Sequence, residues 1–189
     1  MRKVRMIKLM GLLIPLTLGV LAMPASATSG TETTQGAIAT VRDASGTNLG
    51  SVTLVAVGGK LLVAGRLTGL APGFHGFHIH AVGLCEPPFT TSGGHLNPAG
   101  TNHGTHAGDL PLLKVSADGV AVSVTETDSV TLAQILDADG AAFIIHALPD
   151  NYANIPTRYS AGGVPGPDAA TLATGDSGGR VACGVITQI

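Results

Sequence analysis

The sequence predicts an all-β chain, an antiparallel sandwich or flattened barrel of eight strands. Three observations carry that prediction. Short apolar runs recur between turn signals, no long stretch keeps a helical period, and glycine-containing hairpin dipeptides join some of the runs.

In chain order the runs are GAIATVRD (36–43), LGSVTLVAV (49–57), LLVAGRL (61–67), GFHIHAV (76–82), LLKVS (112–116), VAVSVTE (120–126), AAFIIHA (141–147) and RVACGVI (180–186). Gly58-Gly59 closes a hairpin between the second and third runs, and Asp118-Gly119 turns the chain into the sixth. The only helical candidate is Leu132–Leu136, about one turn. Two long polar stretches, 83–111 and 147–179, interrupt the strands. Loops of that length in one domain usually carry function.

Ahead of the strands, residues 1–27 have the form of a secretory leader. Arg2, Lys3, Arg5 and Lys8 precede an apolar run from Leu9 to about Ala22, and Ala25-Ser26-Ala27 supplies a small-residue cleavage site. The run is too short for a membrane span. The expectation is an exported chain, secreted or held in the periplasmic or cell-wall space, with one domain at 28–189 and no membrane association after cleavage. Four of the ten basic residues and none of the twelve acidic ones lie in the leader, which leaves six basic against twelve acidic residues beyond it. That balance, with no cationic patch or stacking aromatics, excludes a nucleic-acid binder. Two cysteines in an exported chain most simply form one disulfide, here Cys85–Cys183. Closing a loop of that length stabilises by at most about 4–5 kcal/mol.

The chemistry concentrates between Gly73 and Asp109. Six of the seven histidines, His75, His78, His80, His95, His103 and His106, fall there, and the seventh, His146, ends the run AAFIIH. Neutral imidazole is the commonest metal ligand at physiological pH. Alternate residues of a strand share a face, so GFHIH sends His78 and His80 to one side and Phe77 and Ile79 to the other. His95 follows paired glycines, and HGTHAGD brings His103, His106 and Asp109 into one short turn. His75 has the parity of Phe77 and Ile79, so it reads as a structural histidine hydrogen-bonded beneath the site.

Taken together, HGFHIH (75–80), GGHLNP (93–98), HAGDLP (106–111), IIH with Asp150 four residues on, and GGRVACGVI (178–186) resemble the copper/zinc superoxide dismutases, in their secreted bacterial branch. The resemblance covers most of the chain beyond the leader. It implies a Greek-key barrel that dismutates superoxide to dioxygen and hydrogen peroxide. His78, His80, His95 and His146 would hold copper. His95, His103, His106 and Asp109 would hold zinc, with His95 shared between the ions. Asp150 would tie a copper histidine to a zinc histidine from outside, and Arg180 would attract and orient the superoxide anion beside copper. The chain would act as a monomer or homodimer.

Two features depart from the family pattern. His103 and His106 lie only three apart, where relatives leave a longer gap, and the segment GPDAATLATGDSGGR has no lysine to assist guidance. Two alternatives therefore stand beside the dismutase reading: a copper-only dismutase, and a non-catalytic copper-binding or buffering protein. A zinc hydrolase would want a carboxylate general base, and no HExxH helix is present.

Overall fold

The computed structural model describes residues 35–189; the leader expected at 1–27 lies outside the described residues. The strands are β1 (Gly36–Asp43), β2 (Asn48–Val57), β3 (Lys60–Thr68), β4 (Gly73–His75), β5 (Phe77–His80), β6 (Leu113–Val115), β7 (Val120–Thr127), β8 (Ala142–His146), β9 (Ser160–Ala161), β10 (Val164–Pro165), β11 (Arg180–Val185) and β12 (Thr187–Gln188). Among the described residues two short α-helices accompany them, α1 (Leu132–Ile135) and α2 (Ala169–Thr174), with one 3-10 turn at Thr90–Ser92.

One antiparallel sheet runs β4-β6-β7-β3-β2-β1-β11-β8-β5, with β12 also paired to β1. Its two edges, β4 and β5, are consecutive in the chain. Gly76 separates them, donating to the Leu148 carbonyl (2.8 Å) and accepting from His146 N–H (2.9 Å). The sheet therefore curls into an almost closed barrel whose last seam is bridged by the chain itself. The β7–β3, β1–β11 and β8–β5 neighbours are not sequential, as Greek-key connections require.

The count of eight strands is corrected in detail. The run expected at 76–82 forms β5 alone, an unpredicted β4 lies just before it at the opposite edge of the sheet, β12 adds a short continuation, and β9 pairs β10 in a separate hairpin within the second long loop. The Gly58-Gly59 hairpin forms as expected, both glycines at positive φ (57° and 79°) between the paired Val57 and Lys60. Helix α1 falls where the apolar turn predicted it, closed by a capping box between Thr131 and Gln134. Helix α2 was not expected. Its signal is local: Asp168 caps the start by accepting from Thr171 N–H, and Gly175 ends it in the left-handed region (φ 60°).

Alternation along the strands builds the interior. Ala37, Ala39 and Val41 of β1, Leu54 of β2, Val63 and Leu67 of β3, and Phe77 and Ile79 of β5 share one core. Phe77 stacks on Phe143 of β8 at 5.3 Å between ring centroids. Truncating either to alanine costs about 3–5 kcal/mol. The opposite faces of β5 and β8 are buried too, beneath the long loops, with Ala142, Ile144, Phe89 and Cys183 in a second small cluster. Cys85 and Cys183 are joined in a disulfide, which fastens the loop after β5 to β11. Among the described residues no helix is long and apolar enough to cross a membrane.

Candidate metal centre

Strand β5 has two kinds of buried side chain. Phe77 and Ile79 enter the barrel, while His78 and His80 turn outward under the first long loop. That loop is laid on β5 by backbone bonds. Leu96 N–H donates to the Ile79 carbonyl (2.8 Å), Ile79 N–H to Gly108 (2.9 Å), and Gly108 N–H to Leu96 (2.9 Å). Bridge partners result: His80 opposite His95, and His78 opposite Asp109. The approach demands glycine at 108, because a Cβ there would overlap the Ile79 carbonyl. His146 arrives from β8, the strand paired with β5. One nitrogen from each of His78, His80, His95 and His146 then lies within 4.8 Å of the others.

The backbone selects which nitrogen each ring presents. His80 donates through Nδ1 to the Gly93 carbonyl (2.9 Å), and His146 through Nδ1 to the Gly178 carbonyl (3.1 Å). Their Nε2 atoms are left as lone-pair donors, 3.4 Å apart. His78 gives Nε2 to Asp150 (2.6 Å), which leaves its buried Nδ1 without a partner. Fixing one ring nitrogen by a carbonyl or carboxylate is the usual support of a metal-bound histidine. Burial also keeps these rings neutral: it pushes His80 down to about 2, His146 to about 3 and His78 to about 4.

A second group forms around Asp109. Its Oδ1 lies 3.0 Å from His95 Nδ1, 3.3 Å from His103 Nδ1 and 3.4 Å from His106 Nδ1. Its Oδ2 accepts the N–H groups of Gly104 (2.8 Å) and His106 (3.0 Å), which pins the carboxylate. His78, His95, His103 and Asp109 again present atoms within 4.8 Å of one another, and His106 Nδ1 stands 3.3 Å from His95 Nδ1. His78 and His95 thus belong to both groups, while His106, expected among the zinc ligands, is not one of the second four and its ring adjoins them at His95 Nδ1 and Asp109 Oδ1. Asp150 accepts from His78 Nε2 and His103 Nε2 (2.8 Å) and so spans the two groups. Burial opposes the charged form of His103, but the adjacent Asp109 and Asp150 carboxylates outweigh it and raise the ring to about 9. Against the same desolvation, the histidine hydrogen bonds hold both carboxyl groups well below the ordinary carboxylate range.

These donors fit the two ions the sequence suggests. An all-imidazole set suits copper, and three imidazoles with one carboxylate suit zinc. The buried Nδ1 atoms of His78 and His103 make no hydrogen bond, as nitrogens reserved for a cation would, although the Asp109 carboxylate stands 3.3 Å from that of His103. His75 holds no such place: its two ring nitrogens face the carbonyls of His146 (2.6 Å) and Ala71 (2.8 Å).

Arg180 pairs in register with His146 and lines an open pocket of about 490 Å³ together with His80, His95 and His146. Its guanidinium donates to the Phe89 and Gly93 carbonyls and to Ser92 Oγ (3.0 Å), so the loop tied down by the disulfide holds the cation at the pocket. Gly93 therefore accepts from both Arg180 and His80. Spacing could not reveal this sharing, since the acceptor is a carbonyl. Gly175 was also missed. It sits against Asp150 and His103, where a Cβ would overlap Asp150 Oδ1 and the His103 ring.

The family model described as copper/zinc superoxide dismutase matches residues 48–186. Superoxide dismutase [Cu-Zn] of Mycobacterium tuberculosis is 49% identical over 130 residues, and that of Mycolicibacterium paratuberculosis is 48% identical over 130. The first match covers 62% of this chain and 54% of the relative, the second 62% and 57%. The chain thus spans little more than half the length of these curated relatives. Among solved structures, a SOD-like protein from Bacillus subtilis is similar at TM-score 0.62 and 31% identity, over 78% of this chain and 95% of that one. The clock protein EA4 is similar at TM-score 0.67 and 31% identity, over 83% and 96%.

Proposed function

The chain belongs to the copper/zinc superoxide dismutase family, and from that premise we propose that it dismutates superoxide, two anions and two protons yielding dioxygen and hydrogen peroxide. The observation that supports this most is the pair of buried four-donor groups sharing His78 and His95 beneath a pocket that carries Arg180. His78, His80, His95 and His146 would hold copper, which would supply one-electron redox chemistry; His95, His103, His106 and Asp109 would hold zinc, which would order the site and add positive charge.

The chain's own residues do the rest. Arg180 stays charged and keeps donors beyond those given to Phe89, Ser92 and Gly93, so it attracts and orients a small anion next to the copper histidines. The chain beyond the leader is net acidic, so guidance comes from this local cation and not from overall charge. His95 borders the pocket and holds or passes a proton at its Nε2, while its Nδ1 faces Asp109. Asp150 fixes the rings of His78 and His103. The disulfide holds the Arg180 support in place.

The domain at 28–189 acts outside the cytoplasm after removal of the leader, as a monomer or homodimer, free of membrane and nucleic acid. Metal analysis of the purified protein beside a superoxide-decay assay tests the reading. Copper and zinc with accelerated decay support it. Copper without zinc but with decay points to a copper-only dismutase, and copper without decay to a buffering protein.

A further inference from the structure

A structural zinc site ordinarily has all four coordination positions filled by protein, and in this chain a separate pocket reaches the edge of the buried zinc-side group. A pocket of about 460 Å³ reaches His95 and His106 between the turn carrying Asn97 and Asn102 and the helix carrying Ala169 and Leu172. It nearly equals in size the 490 Å³ pocket on the Arg180 side. The two openings have only Gly94, His95 and Ala173 in common. The side chains of His95 and His106 keep 4% and 5% of their surface, whereas those of His78 and His103 keep none.

The shortened loop is the cause. Only Gly104 and Thr105 separate His103 from His106, too little chain to cover the ligands. The residues before them are folded back into a rim. Asn97 Nδ2 donates to the Thr101 carbonyl (2.8 Å), and Thr101 Oγ1 to the Thr105 carbonyl (2.9 Å). On the opposite side, α2 is fixed to the ligand segment by His103 N–H donating to the Leu172 carbonyl (2.8 Å).

We infer that the zinc-side ion exchanges directly with solvent through the mouth between the Asn97–Asn102 turn and α2, independently of the copper-side pocket. A hydrated divalent cation enters there, and a small chelator removes it by the same route. The inference rests on the ligand sets proposed above.

The test uses protein loaded with copper and zinc and an excess of a chromogenic zinc chelator, with zinc release followed by the chelator's absorbance and copper by its visible band. Ala169→Trp narrows the mouth from an exposed position and slows zinc release several-fold; Leu172→Ala widens it and speeds release several-fold. Thr174→Leu, which lines the copper-side pocket alone, leaves zinc release unchanged. The copper band persists throughout. Wild-type release rates in both Ala169→Trp and Leu172→Ala overturn the inference while leaving the dismutase reading intact, as does zinc that leaves only in step with copper. A protein that takes up copper but no second ion overturns the zinc assignment and the mouth together.

Discussion

Nε2 of His80 and Nε2 of His146 face each other at 3.4 Å, and each ring has already committed its Nδ1 proton to a backbone carbonyl. Two lone pairs at that distance cannot bond one another; a cation between them resolves the contact. Copper should therefore raise the melting temperature of the wild-type protein, with ligand at a thousand times its dissociation constant adding about 4 kcal/mol. His146→Ala should lose both the copper and that rise. Retention of stoichiometric copper by His146→Ala would count against this ligand set.

Arg180→Ala removes the cation from the pocket but no proposed ligand. Copper content should stay at the wild-type level while the rate of superoxide decay drops by about tenfold or more, within the range that a focused positive potential contributes to association. The wild-type rate should also fall as salt is added, and the variant should respond less.

Gly175→Ala places a Cβ against Asp150 and His103 at a left-handed backbone position (φ 60°). Because Asp150 orients ligands in both groups, metal affinity should fall by about 10–100-fold, the usual cost of disturbing the support of metal ligands. Gly179→Ala, whose Cβ meets no atom within 4 Å, serves as the neutral comparison. Competition titration against a chelator of known affinity reads both.

Metal-free protein should be most stable near neutral pH. His78, His80 and His146 have folded-state pKa values of about 4, 2 and 3, each below the unfolded value of about 6.5. The unfolded chain takes up these protons first, so stability falls as pH drops below about 6.5. His103 has the opposite sign. Raised to about 9, it contributes fully below about 6.5 and loses that contribution as pH rises toward 9. Urea midpoints at acid, near-neutral and alkaline pH check both limbs, and a flat acid limb would contradict the buried neutral histidines.

Most of the strands were legible because alternation fixes which face is buried: Val52, Leu54, Val63 and Leu67 all fall where period two puts them. The candidate ligands were legible because six of the chain's seven histidines lie among them, and strand parity set His75 apart. What escaped were backbone devices. Strand β4 lies ahead of the run at 76–82, and no side-chain pattern marks Gly76 as the break between two edges of the sheet. Carbonyls of Gly93 and Gly178 choose the tautomers of His80 and His146, and carbonyls leave no trace in composition. Helix α2 was missed because six residues are too few to show a period, although its Asp168 cap and Gly175 stop were there to be read.

Anomalous diffraction at the copper and zinc edges, on crystals of the metal-loaded protein, measures the shared centre most directly. One copper peak should lie among His78, His80, His95 and His146, and one zinc peak among His95, His103, His106 and Asp109, on the two sides of the His95 ring. A single ion in place of two, or peaks that do not share His95, would contradict the account.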